Sequence, residues 1–188
     1  DYADKIEMIN SPYERTIFID TDTICVDPIY ELFDLLLNCD MVVHQNAEGY
    51  EYEYWNYNLN MAMPEFNTGL IGFVKSALIQ KRFFEEWTRL YDQYKYLKLT
   101  DQFSFRLLMY HTSIRYCWIP NAYNFMIYFP NYTSLKAKII HGRPFSHLEE
   151  IALKINDVSK LKHSWHRAYF PELNSVVYDY LNLRDSFS

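Results

Sequence analysis

Two carboxylates one residue apart, Asp20 and Asp22, close the short apolar segment Thr16-Ile17-Phe18-Ile19 and can both point at one cation. They offer the hard oxygen ligands that Mg²⁺ and Mn²⁺ prefer. The triplet alone is cheap, since a chain this rich in Asp produces about one D-x-D by chance. Position carries the argument instead. The pair follows a strand-like run, and in open α/β sheets ligands bind beyond the carboxyl ends of strands. A solvated acidic turn is the plain alternative.

Three further segments have chemistry to offer. Phe66-Asn67-Thr68-Gly69 runs into an apolar stretch, where Asn67 and Thr68 supply hydrogen bonds and Gly69 permits close backbone approach. A turn before a strand explains it equally well. Asp101-Gln102 stands at a helix start, where an acid complements the helix dipole, and capping alone accounts for it. Ile139-Ile140-His141-Gly142-Arg143-Pro144 ends a strand on an imidazole that can complete a mixed oxygen and nitrogen metal site. Its Arg143 can grip a diphosphate bidentately, although a lone His is more often structural.

The elements that must position these groups alternate between strand and helix. Thr16–Ile19, Met41–His44, Gly69–Val74, Ile114–Ile119 and Lys138–His141 read as strands from their β-branched and aromatic content. Asp27-Pro28 suits a helix start, followed by Ile29, Leu32, Phe33, Leu36 and Leu37 at helical spacing. Ser76 is expected to cap a long helix whose stripe is Ile79, Phe83, Phe84, Trp87, Leu90, Tyr91 and Tyr94, and Thr100 to cap the next. The remainder reads as helical or irregular. This order predicts an α/β sheet covered on both faces.

Composition narrows the function classes. A chain of 188 residues with 49% apolar and 22% charged residues suffices for one globular domain. A net charge of -6 argues against nucleic acid as a partner. No apolar run reaches the ~18 residues of a spanning helix, so the chain is expected to be soluble and cytoplasmic. Cys25, Cys39 and Cys117 form no C-x-x-C pair, and buried, reduced thiols are expected. Asn131-Tyr132-Thr133 fits the glycosylation triplet, a pattern common by chance.

Taken in order, Ser11-Pro12-Tyr13-Glu14-Arg15-Thr16-Ile17-Phe18-Ile19-Asp20-Thr21-Asp22, Phe66-Asn67-Thr68-Gly69, Asp101-Gln102 and His141-Gly142-Arg143-Pro144 resemble the GT-A glycosyltransferases, and glycogenin and the family eight galactosyltransferases in particular. The resemblance covers about Lys5 to Pro144. It implies a mixed, mostly parallel α/β sheet flanked by helices, with residues 1–150 as the catalytic core and 151–188 as a helical extension. It also implies transfer of a sugar from a nucleotide-diphosphate donor, with a UDP-sugar expected, to a saccharide or protein hydroxyl, with retention of configuration. By resemblance Asp20, Asp22 and His141 hold Mn²⁺ or Mg²⁺. Lys5 contacts the nucleotide sugar, Asn67, Thr68, Gly69, Asp101 and Gln102 border the transferred sugar, and Asp101 or Gln102 is the candidate nucleophile if transfer runs by double displacement instead of same-face attack. Arg143 falls where the family usually has a Lys further along, in a compressed version of the pattern.

Two rivals remain at this level. A haloacid-dehalogenase-like phosphatase also places D-x-D after an early strand, with Asp20 as nucleophile, but it needs a later acidic pair that the sequence lacks. A sugar-nucleotide-binding domain without turnover is the other. Only nineteen residues precede Asp20, so the strand-helix-strand unit that cradles the base in such enzymes is expected to be missing and binding by this chain alone to be weak. The loop Glu48–Met63, with Tyr50, Tyr52, Tyr54, Trp55 and Tyr57, could stack on an acceptor sugar or pack upon itself. His44 is ambiguous, and His163, Trp165 and His166 have no assigned role.

Overall fold

The computed structural model describes residues 2–46, 59–60, 62–76, 79–97, 101–161 and 166–178. The aromatic loop cluster from Tyr50 to Tyr57, Thr100, His163 and Trp165 lie outside them. The chain forms two compact units. One comprises Asp1–Phe18 and Tyr30–Trp118, the other Ile19–Ile29 and Ile119–Ser188.

The first unit is built on a four-stranded sheet of order β1-β4-β3-β5, with β1 Arg15–Ile19, β3 Met41–Gln45, β4 Phe66–Val74 and β5 Tyr116–Trp118. β3 runs antiparallel to β4 and parallel to β5. The helices are α1 Tyr30–Leu35, α2 Phe84–Tyr94 and α3 Asp101–His111. Asp27 does not cap α1. Its carboxylate instead meets Lys136 at 2.9 Å within the second unit. Ser76 does act as a cap, accepting the Ile79 N–H at 3.3 Å ahead of a π-helical turn that leads into α2. From the expected stripe, Ile79, Phe83, Phe84, Trp87, Leu90 and Tyr91 are buried with Phe66, Phe73, Phe103 and Phe105 in one core. Aromatic rings meet edge to face there, Trp87 and Phe105 at 4.8 Å between centroids.

Close backbone approach in this sheet is required at Gly72. A Cβ there would lie 2.3 Å from Val42 Cγ2 and 2.6 Å from Ile17 Cδ1. The β3–β4 register jumps from Val43 opposite Ile71 to His44 opposite Asn67, so Thr68, Gly69 and Leu70 occupy the irregular stretch of β4.

The second unit holds two three-stranded sheets. β2 Thr23–Cys25, β8 Ile139–His141 and β6 Phe125–Met126 form one, in the order β2-β8-β6, with β2 antiparallel and β6 parallel to β8. β10 Ser175–Tyr178, β9 Arg167–Phe170 and β7 Asn131–Thr133 form the other, antiparallel throughout. Two of the sheets are thus mixed, since β3–β5 and β6–β8 pair in parallel beside antiparallel neighbours. α4 Leu148–Ile155 buries Leu148, Ile151, Ala152 and Ile155 against Phe125, Ile127, Ile140 and Tyr169.

Past α4 the structure departs from the helical or irregular reading, because β9 and β10 form a hairpin. Pro171–Leu173 makes a tight 3-10 turn, and Asn174 adopts the left-handed conformation, φ 43°, that Asn tolerates at a turn. The glycosylation triplet lies on β7. Asn131 is buried, and its amide donates to Met126 O at 3.1 Å, so the folded chain presents no amide nitrogen to a glycan. All three cysteines are free, but only Cys39 is buried, whereas Cys25 is exposed. Among the described residues no helix is long and apolar enough to cross a membrane.

Candidate metal centre

The expected ligands gather in the second unit. Ligand atoms of Asp20, Asp22 and His141 all lie within 4.8 Å of one another. Strand pairing explains the meeting. β2, which follows the acidic turn, sets Thr23 opposite His141 at the end of β8. Two hydrogen bonds hold the turn: the Gly142 N–H donates to Asp22 O at 2.9 Å, and Thr23 Oγ1 donates to Asp20 O at 2.7 Å. Gly142 has φ +149°, and a Cβ on it would fall 2.4 Å from Ile127 Cγ1, so no larger residue fits beneath Asp22.

His141 is buried and Asp22 half-buried, with His141 Nε2 3.3 Å from Asp22 Oδ1. The second carboxylate oxygen, Oδ2, accepts from the Tyr128 hydroxyl at 2.7 Å and lies 3.4 Å from Arg143 Nε. Burial pushes the Asp22 carboxyl upward, but the Tyr128 hydrogen bond and the charges of His141 and Arg143 more than offset this, leaving it below the ordinary carboxylate value. Burial and the Asp22 carboxylate push the Tyr128 phenol upward, so it remains a neutral donor. Arg143 is exposed and borders a pocket of about 620 Å³ with Thr21, Asp22, Pro144 and Phe145.

Asn124 and Tyr128 were not legible as site residues. Asn124, fully buried after the turn Asn121–Tyr123, places Oδ1 2.9 Å from His141 Nδ1. Tyr128 belongs to no element and sits 106 positions from Asp22 in sequence. A strand-end His does announce that its ring needs a second partner, but nothing in sequence names it.

The other expected residues come together in the first unit. Lys5, on the 3-10 helix Tyr2–Asn10, donates to Thr68 Oγ1 at 3.3 Å and faces Asp101 Oδ2 at 3.4 Å. The Asn67 amide donates to Gln102 Oε1 at 3.3 Å, and its own Oδ1 accepts the Gly69 N–H at 3.0 Å. Asp101 is buried and Gln102 half-buried. Lys5, Asn67, Thr68, Gly69, Asp101 and Gln102 therefore form one polar group joining β4 to the start of α3. His44 lies beside it on β3, buried and opposite Asn67.

No family model matches the sequence, and no curated protein matches it. Solved structures do. The galactosyltransferase LgtC, in complex with donor and acceptor sugar analogs, superposes with a TM-score of 0.58 at 13% identity, over 80% of this chain and 65% of that one. The glycosyltransferase GlyE of Streptococcus pneumoniae gives 0.53 at 14%, over 79% and 42%. Mouse xyloside xylosyltransferase 1 in its apo form gives 0.51 at 17%, over 76% and 63%. The chain spans less than two thirds of the length of each of these. Their shared architecture with this chain is the GT-A glycosyltransferase fold that the motif order implied.

Proposed function

We propose that this chain carries the cation-binding and sugar-binding residues of a glycosyltransferase that moves a sugar from a nucleotide-diphosphate donor to a hydroxyl acceptor, with UDP-sugars the expected donors and retention the expected outcome. The observation that carries the reading is the convergence of Asp20, Asp22 and His141, from an acidic turn and a distant strand end, within 4.8 Å. Two carboxylates and one imidazole suit Mn²⁺, which accepts nitrogen, better than Mg²⁺, which prefers an all-oxygen shell. The depressed Asp22 carboxyl is ionised at neutral pH and ready to coordinate. A bound divalent cation would supply Lewis-acid stabilisation of the charge that grows on the departing diphosphate.

The chain's own residues would do the rest. Arg143, exposed at the rim of the pocket beside Asp22, offers a planar pair of donors to diphosphate oxygens. Asn67, Gln102 and Thr68 present amide and hydroxyl groups of the type that read sugar hydroxyls, and Lys5 with Asp101 fixes their placement. Among the described residues the one cluster of metal-binding type joins Asp20 and Asp22 to His141 and not to a later acidic pair, which supports donor activation over the phosphatase reading.

Calorimetry and free-nucleotide release with a panel of sugar nucleotides, with and without Mn²⁺, test the reading on wild type and Asp22→Ala. Mn²⁺-dependent binding that disappears in the variant is expected. Cleavage of phosphate esters without response to any sugar nucleotide would overturn it.

A further inference from the structure

The imidazole of His141 has two nitrogens in different surroundings, and the difference is built by a residue outside the ligand set. Nδ1 lies 2.9 Å from the Asn124 side-chain oxygen, within the protein interior. An amide oxygen only accepts, so Nδ1 carries the proton and donates. In the neutral ring Nε2 then turns its lone pair toward Asp22 Oδ1 at 3.3 Å, and in the charged ring a proton there meets the carboxylate. Two acceptors that close repel each other unless positive charge lies between them, and the nearest Asp20 ligand atom is also within 4.8 Å. In the charged ring that positive charge is the Nε2 proton, and a cation bound to the neutral ring would take its place.

From this we infer that Asn124 is the positioning residue of the metal centre: its carbonyl oxygen locks His141 in the Nδ1–H tautomer and ring orientation that present Nε2 as a cation ligand. The inference rests on the metal reading of the three-residue cluster, but its structural half stands apart from it. Asn124 is well placed for a rigid role. It is wholly buried, and its backbone N–H donates to Asn121 O at 3.1 Å, at the close of the turn Asn121–Tyr123. The backbone on the His141 side is equally fixed, because β8 is held by β2 on one edge and β6 on the other, and Ile127 N–H donates to His141 O at 3.0 Å. Neither partner can drift to make a different pair. Outer partners of metal-bound His set tautomer and basicity, and their removal typically weakens binding about 10- to 100-fold.

Two measurements test it on the whole chain. Nitrogen-15 NMR of the imidazole in metal-free wild type, at a pH where the ring is neutral, reports the tautomer, which is expected to be Nδ1–H. Calorimetric titration with Mn²⁺ compares wild type, Asn124→Leu and Asn124→Asp. Asn124→Leu keeps the volume but has no acceptor, so its Mn²⁺ affinity is expected to fall about 10- to 100-fold and its tautomer preference to vanish. Asn124→Asp restores an acceptor to Nδ1–H and is expected to bind at least as well as wild type. A role in packing alone would weaken both variants alike and leave the tautomer unchanged, and that result overturns the inference. An Nε2–H tautomer in wild type overturns it directly. If wild type bound no Mn²⁺ at all, the metal reading would fall, while the tautomers of wild type and the two variants would still decide whether Asn124 sets the ring. Should Asn124→Leu fail to fold, Asn124→Ser, which is smaller and polar, takes its place with the same expected loss.

Discussion

The Tyr128 hydroxyl donates a 2.7 Å hydrogen bond to Oδ2 of Asp22 and reaches it from 106 positions away in the chain. The bond holds one carboxylate oxygen while the other faces His141. Tyr128→Phe removes only this donor and one side-chain oxygen. A single net hydrogen bond is worth about 0.5–1.5 kcal/mol, so Mn²⁺ affinity should change by no more than about tenfold, with the fold retained. Titration calorimetry checks it, and a complete loss of binding would mean the phenol itself is a ligand. Chelation by EDTA should lower the melting temperature of Mn²⁺-loaded wild type and leave that of Asp22→Ala where it was.

Gly72 predicts a large effect of a single added methyl. A Cβ would meet Val42 Cγ2 and Ile17 Cδ1 at 2.3 and 2.6 Å, and the buried, β-branched Val42 has few rotamers by which to turn aside. Gly72→Ala should cost about 1–3 kcal/mol, read as a lower urea midpoint with unchanged slope. An unaltered midpoint would show that the sheet yields at no cost.

Arg167 is a charge buried without a carboxylate among the described residues. Its Nη2 donates to Leu135 O, whereas Nε and Nη1 have no hydrogen-bond partner, and burial pushes the guanidinium below its ordinary value. Taking such a group out of water is costly, and a flexible apolar side chain of similar length fills the same space. Arg167→Met should therefore be neutral or stabilising by about 1–2 kcal/mol, while Arg167→Ala should destabilise by leaving a void. Thermal unfolding of the two variants distinguishes them, and equal losses in both would assign the guanidinium a stabilising role.

The cysteines should separate by pH. Burial, reinforced by the neighbouring Cys117, pushes the Cys39 thiol up to about 12. A raised thiol value means the reactive thiolate appears only as pH climbs toward that value, so Cys39 stays protonated between pH 7 and 9. Iodoacetamide at pH 8 should modify the exposed Cys25 in the folded chain and reach Cys39 only in denaturant. Mass spectrometry after timed quenching reads this, and rapid Cys39 modification in the native state would contradict the burial argument.

Much of the positioning framework was readable because it depends on local pattern. The run Thr16–Ile19, the α2 stripe and the start of α3 each show a period that one kind of element satisfies, and each forms as expected. His141 stands out for the same reason, since it ends an apolar strand, and it does end β8. The β9–β10 hairpin was missed although its signal exists. Arg-Ala-Tyr-Phe and Ser-Val-Val-Tyr flank Pro171-Glu172-Leu173-Asn174, and the turn residues there outweigh the weak helical character on either side. The close approach at Gly72, three residues beyond Gly69, has no signal of its own in the sequence. Sequence marks a glycine but not which neighbour will press on it. Asn124 and Tyr128 have no local signal at all, because each matters only through a partner brought to it by the fold.

The second unit takes its acidic turn from residues 19–29 and nearly all else from beyond residue 118. On the ribosome, β2 must therefore emerge long before the strand it pairs with and wait, unpaired, while the whole of Tyr30–Trp118 is translated. Pairings of such sequence separation close slowly. Asp20 and Asp22 stand just ahead of that waiting strand and place two carboxylates beside it in the nascent chain.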